Sequence, residues 1–328
     1  MRNLNYWDII KITTIFLVVS GHEIANLPPL HTNYIMKALY GFIYSFHMPL
    51  FFVASGAVYY IAKREMYKYK YEHKFISNKV RRLLFPYLST SVILFAILFY
   101  THEFEGNIFL YFLQNVCLVD QVKHLWFLIA LLIIFIVFNH FEKYIFKYPL
   151  YSLLISFILY YIYPYIPWIL QLESFCHYLI FFYCGYLFEK ESRRYLFIFK
   201  KKATFIWLLS IHIIAYIIML KTTFSIYIFN LTSLFCSLIG CLMAISFNII
   251  ITNHWKLTQR TIIRNLAINS FAIYLFHDPI LYLIKYWINW DSVNTSFITL
   301  ISFILIIGMP IIIAKTLRKA KVPWMIGE

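Results

Sequence analysis

Two polar groups inside one apolar stretch are the first sign of chemistry in this chain. Residues 7–25 (WDIIKITTIFLVVSGHEIA) are long and apolar enough to cross a bilayer, yet they include Lys11, His22 and Glu23. Charge within a membrane is costly and is usually retained for a purpose. Lys11 and His22 lie eleven residues apart. At about 100° per residue they return to within roughly 20° of one helix face, displaced by about 16 Å along the axis. An imidazole in that position could act as a general base toward a hydroxyl, because it titrates near neutrality. The alternative for His22 is a neutral ring bonded to a neighbouring helix. Glu23 sits about 100° further round and is not placed to orient it.

Further candidates follow along the chain. The segment FIYSFHMPLFFVASG places His47, Pro49, Ser55 and Gly56 in a second span, where proline and glycine favour a kink and close helix contact. In NKVRRLL, Lys79 and Arg82 are three residues apart on one helix face, with Arg81 beside them. Ammonium and guanidinium groups at a membrane edge could hold a coenzyme's phosphates. Ordinary topogenic charge is the alternative, and it accounts for most of the cations in residues 63–74. Glu173 and His177, four residues apart, can touch. They could bind hydroxyls of an acceptor or form a structural pair, and as a metal site they lack a third ligand. His277 and Asp278 precede Pro279, whose kink frees backbone carbonyls in mid-span. His212, alone in its span, reads as packing between helices.

The elements that must position these groups are transmembrane helices. Of 328 residues, 62% are hydrophobic and only 13% charged, with mean hydropathy +0.72. That composition predicts an all-α, polytopic membrane protein with a single transmembrane domain over residues 1–328. A net charge of +15 would suggest nucleic acid in a soluble chain. Here the cations lie in short connections between apolar runs, which is a topology signal and not a nucleic-acid surface. The cysteines (Cys117, Cys176, Cys184, Cys236 and Cys241) show neither disulfide-framework nor zinc-ligand spacing and read as free thiols. Arg2 before an apolar run resembles a signal peptide, but no small-residue cleavage site follows, so the run is expected to stay as a first helix.

Basic clusters at residues 63–82, 190–202, 256–264 and 315–321 all fall on one side if about ten helices cross the membrane and both termini are cytoplasmic. Later spans are expected near 83–101, 124–138, 149–163, 168–188, 203–220, 224–250, 265–288 and 296–316, with Glu103, Glu105 and Asp120 outside. These depths put His22, Glu23, His47, Glu173, His177, His277 and Asp278 in the outer half or middle of the bilayer. Lys11 and the ridge at 79–82 lie toward the inside. A proton-transfer group facing out and an anion site facing in imply two substrates arriving from opposite sides. A sugar or polysaccharide exporter, or a non-catalytic component of a polysaccharide assembly complex, would explain the buried charges by other means.

The ordered set DIIKITTIFLVVSGH, FHMPLFFVASG, KVRRLLFPY, HLWFL and NSFAIYLFH covers nearly the whole chain. It resembles the membrane-integral acyltransferase family three, bacterial O-acyltransferases that decorate cell-surface sugars. The resemblance implies a ten-helix enzyme of the bacterial cytoplasmic (inner) membrane. Such an enzyme takes an acetyl or other short acyl group from acetyl-CoA or another acyl-CoA and passes it to a surface glycan or a lipid-linked sugar. On this reading His22 matches the family's first-helix catalytic histidine, and Lys11 stands where many members have arginine. The family's paired arginines at the third span fall on Lys79 and Arg82, with Arg81 adjoining. Lysine for arginine keeps the charge and loses the bidentate fork. His47, Glu173, His177 and His277 are then candidates for the acceptor side. No acid follows Trp126 in FLIALLIIFI, which looks more like the fucose acetylase and polysaccharide-adhesin branches. No metal is expected, and membrane lipid and glycan-assembly proteins are the remaining candidate partners.

Overall fold

The computed structural model describes residues 5–26, 33–65, 72–102, 107–117, 123–221, 225–288 and 295–328. Glu103, Glu105 and Asp120, expected on an outer loop, lie outside the described residues, as do Arg2, Lys68 and Lys70. Among the described residues the regular structure is helical, with no strand. Eleven principal helices follow one another: α1 (Tyr6–Asn26), α2 (Tyr34–Tyr44), α3 (His47–Tyr60), α4 (Glu72–Tyr100), α5 (Trp126–His140), α6 (Pro149–Ile162), α7 (Leu172–Lys190), α8 (Lys202–Lys221), α9 (Ile226–Trp255), α10 (Thr261–Trp287) and α11 (Thr295–Lys319). The chain is an all-α, multi-pass membrane protein.

Among the described residues, seven stretches are long and apolar enough to cross a bilayer: Tyr34–Arg64, Glu72–Tyr100, Lys123–His140, Lys202–Lys221, Ile226–Trp255, Thr261–Trp287 and Phe297–Lys319. Their outward faces are greasy. Helix α8 buries only His212 and Ala215 and exposes Ile206, Trp207, Ile214 and Leu220, a pattern that lipid satisfies and water does not. The ten spans expected from sequence also take in α1, α6 and α7. Helix α1 has 21 residues, enough for a crossing of about 30 Å, but its Asp8, Lys11 and Glu23 set it apart from the purely apolar helices.

Helix α1 runs through the middle of the bundle, with Trp7, Ile10, Val18 and Val19 buried against α2, α3, α9, α10 and α11. Helices α3 and α7 form the tightest pair. A Cβ on Gly56 would sit 1.9 Å from the Phe182 carbonyl oxygen, and one on Gly185 would sit 2.0 Å from that of Val53. The two glycines let the backbones touch, which is how helices associate where lipid removes the hydrophobic drive. Helix α4 begins at Glu72, eleven residues before the span expected at 83. The second half of the basic 63–82 region is therefore helix, and Lys79 and Arg82 project from a rigid element.

Two prolines break the hydrogen-bond ladder where other groups can use it. Pro86 in α4 has no N–H for the Arg82 carbonyl. A turn at Pro323–Ile326 brings Gly327 against that oxygen, and a Cβ there would lie 2.7 Å from it. Gly327 has φ +73°, a conformation glycine adopts without strain. Pro279 in α10 leaves the Leu275 carbonyl without its helical donor in the same way.

Candidate functional site

Helix α1 carries polar groups into two regions. At the Lys11 end lies a cavity of about 600 Å³, lined by Asp8, Lys11 and Ser55, by Lys79 and Arg82 of α4, and by Gly327 and Glu328. Lys79 Nζ stands 3.8 Å from the Phe135 ring centroid and 5.3 Å from that of Phe75. The two aromatic faces direct the ammonium, as cation–π contacts do. Arg82 donates through Nε to the Gly327 carbonyl at 2.9 Å. Glu328 is held in turn by a two-point contact with Arg318, at 2.8 and 2.6 Å. Arg81 is exposed and does not line the cavity. Of the three cations expected to bind a donor, the structure brings together two, beside Lys11.

At the other end, His22 of α1 meets three residues from two other parts of the chain. Its Nδ1 lies 3.2 Å from Asp278 Oδ1, and its ring centroid is 5.0 Å from that of His277 and 6.2 Å from that of His124. His124 links the group. Its Nδ1 is 3.1 Å from Asp278 Oδ2 and its Nε2 is 3.1 Å from the Leu275 carbonyl oxygen. That carbonyl is the one Pro279 leaves without a helical partner. A carbonyl only accepts, so His124 Nε2 donates to it, and a second proton sits between Nδ1 and Oδ2. The His124–Asp278 pair is thereby neutral as a unit, whichever of the two holds that proton. Tyr274 closes the underside, its hydroxyl bonded to the His124 carbonyl.

His277 differs from the rest. Its Nδ1 donates to the Tyr274 carbonyl at 2.7 Å, with the Ile273 carbonyl at 3.2 Å. Nε2 therefore carries a lone pair, and it is buried without a hydrogen-bond partner. Ligand atoms of His22, His277 and Asp278 lie within 4.8 Å of one another, a grouping that could hold a metal ion. The hydrogen bonds favour proton handling instead. Asp278 Oδ2 is already engaged by His124 Nδ1 at 3.1 Å, and the 3.2 Å contact of His22 Nδ1 with Asp278 Oδ1 suits an imidazole held in one orientation.

The comparisons with known proteins add one decisive finding. A family model described as an acyltransferase domain matches residues 4–316. The chain belongs to acyltransferase family three. No curated protein and no solved structure matches it.

The remaining candidates of this membrane acyltransferase make contacts of their own. His47 is buried, with Nδ1 3.0 Å from the Ile43 carbonyl and its ring 4.4 Å from that of Tyr44. Tyr44 lies on Gly21, where a Cβ would be 2.6 Å from the ring, so that ring links His47 to α1. His177 is stacked between Tyr163 and Tyr178, with centroids at 4.1 and 4.4 Å and interplanar angles of 19° and 17°. That is an aromatic column, and Glu173 lies one turn before it. His212 bonds the Cys236 carbonyl at 3.1 Å and faces Ser45 Oγ at 3.3 Å, a packing role. Glu23 accepts a hydrogen bond from Ser302 of α11. Cys176, Cys184, Cys236 and Cys241 are free thiols.

Sequence reasoning gave no role to His124, and it singled out Asp278 with His277 as an intramembrane pair beside Pro279 without assigning the carboxylate a task. Both carried a readable signal. His124 opens the HLWFL motif, and Asp278 is the sole acid in α10, one residue before a mid-helix proline.

Proposed function

We propose that this acyltransferase moves an acetyl group from acetyl-CoA, supplied at the cytoplasmic face, to a hydroxyl of a surface glycan or lipid-linked sugar, with His22 as general base. One observation carries the reading: α1 presents Lys11 to a cavity that also holds Lys79 and Arg82, and, eleven residues on, presents His22 to Asp278. The basic cavity suits the phosphates of the coenzyme, with Lys79 and Arg82 on one α4 face and Lys11 deeper along the path of the thioester arm. Topogenic charge puts that end in the cytoplasm and both termini with it, in a ten-span bacterial inner-membrane protein.

In the reaction, Asp278 keeps the His22 proton on Nδ1, so Nε2 is the basic nitrogen. The acceptor oxygen attacks the thioester carbonyl carbon as its proton passes to Nε2. The carbon–sulfur bond then breaks and the CoA thiolate leaves, to be protonated from the imidazolium or from water. The His124–Asp278 pair anchors the base at a fixed distance from the path, and the unpaired His277 Nε2 offers an acceptor to a neighbouring sugar hydroxyl. No metal is used. An exporter would need polar groups along a continuous path, whereas Phe51, Phe127 and Tyr274, which line the cavity, pack closely against one another. A scaffold would leave the His22 arrangement without a purpose.

Purified protein in nanodiscs, given radiolabelled acetyl-CoA and candidate glycans, tests the reading. We expect label in the glycan with the wild type and a loss of roughly 10²–10⁴ in rate for His22→Ala, with normal insertion. Full activity of that variant would remove the mechanism. Absence of incorporation by the wild type across all glycans, with glycan transport intact, would favour the exporter.

A further inference from the structure

Three aromatic rings of the Lys11 cavity pack against one another, and one of them also borders the His22 group. Phe51 of α3, Phe127 of α5 and Tyr274 of α10 all line the Lys11 cavity, whereas His22, His124, His277 and Asp278 do not. The rings contact one another: centroids are 5.2 Å apart for Phe51 and Phe127, 5.6 Å for Phe127 and Tyr274, and 6.2 Å for Phe51 and Tyr274. These are packed aromatic separations, so no open channel runs through the middle of the three. All three side chains are buried. Tyr274 belongs to both sides. Its ring is 5.6 Å from that of His124 and 6.0 Å from that of His277, and its hydroxyl is tied to the His124 carbonyl.

We propose that Phe51, Phe127 and Tyr274 form an acyl-length filter that admits acetyl and rejects longer chains. The inference rests on the functional reading above and names the donor class that reading leaves open. The thioester must come within reach of the hydroxyl activated by His22, and the route from the cavity leads past these rings. A two-carbon group passes with a small rotation of one ring. Each further methylene must displace an aromatic side chain from contacts it makes with two others, in an interior packed too densely to yield freely. The rings differ in their freedom to move. Tyr274 is fastened through its hydroxyl, and Phe127 is also braced by Phe52 at 4.9 Å. Phe51, without a polar tether, is the movable member.

The test is a comparison of acetyl-, propionyl- and butyryl-CoA as donors for wild type and Phe51→Ala, in nanodiscs, with one accepted glycan. Wild type is expected to use butyryl-CoA at least about tenfold less well than acetyl-CoA by kcat/KM, the discrimination a hydrophobic pocket achieves over one or two methylenes. Phe51→Ala should close that gap by about tenfold or more while still transferring acetyl. Phe51→Leu, milder toward folding, should give an intermediate ratio, and size-exclusion elution reports whether each variant is intact. Equal use of the three donors by wild type overturns the filter. So does an unchanged donor ratio in both Phe51 variants while acetyl transfer continues, and that outcome leaves the acyltransfer reading standing. If wild type transfers no acyl group from any of the three donors, the functional reading fails and takes the filter with it.

Discussion

The two ends of α1 solve the problem of polar groups in a membrane in opposite ways. At the Lys11 end, three cations line one cavity, and two of them are placed by their own contacts: Lys79 by Phe135, Arg82 by Gly327. At the His22 end, no group is independent. Asp278 is paired with His124 and lies beside His22, and His124 depends in turn on a carbonyl left free by the missing N–H of Pro279. The first arrangement should tolerate change gradually. The second should fail as a unit, because removing one member leaves a buried partner unsatisfied.

The largest expected effect is on that second arrangement. Asp278→Asn and His22→Ala should each lower the transfer rate by roughly 10²–10⁴, and the double variant should be no worse than the poorer single, as for residues acting together. Losses that simply multiply would mean that the two residues work separately. In the same set, His124→Ala should cost about 3–5 kcal/mol of stability, the typical penalty for stripping one partner from a buried pair. Thermal unfolding in detergent checks that figure, and an unchanged midpoint would show that Asp278 is not paired in the membrane.

A subtler variant separates helix regularity from function. Pro279→Ala restores an N–H that can recapture the Leu275 carbonyl and draw it from His124 Nε2. We expect thermal stability to hold or rise while transfer falls by about tenfold, within the span of a general-base contribution. A fall in both quantities would mean that the kink itself supports the bundle.

Milder effects are expected in the cavity. Lys79→Ala with Arg82→Ala should raise the KM for acyl-CoA by about tenfold, consistent with losing two charge-assisted contacts to phosphate, and should leave acceptor use unchanged. Lys79→Arg should be nearly silent, which would sharpen the contrast with the histidine group. The smallest effect belongs to Glu328→Gln. It removes a negative charge that lines the Lys11 cavity and should lower that KM by about twofold at low salt, fading as salt is raised. An equal response at high salt would point to a change of shape instead of charge.

Much of this was readable before any fold was known. The apolar runs announced helices in lipid, and most expected spans fall within a few residues of observed ones, as at 203–220 against Lys202–Lys221. The eleven-residue spacing put Lys11 and His22 on one side of α1 because a helix repeats by covalent geometry alone. The motif order pointed to the acyltransferase family that the chain belongs to. A mid-span proline told of a free carbonyl. What it could not tell was who would take it. That His124 bonds Leu275, that His177 lies in an aromatic column away from His22, and that Phe51, Phe127 and Tyr274 meet across three helices depend on how distant segments pack. Periodicity along one helix is a local property and is written in the order of residues. Contact between helices is decided by glycine-mediated approach, ring packing and the pairing of buried polar atoms, and these arise only when the whole bundle closes.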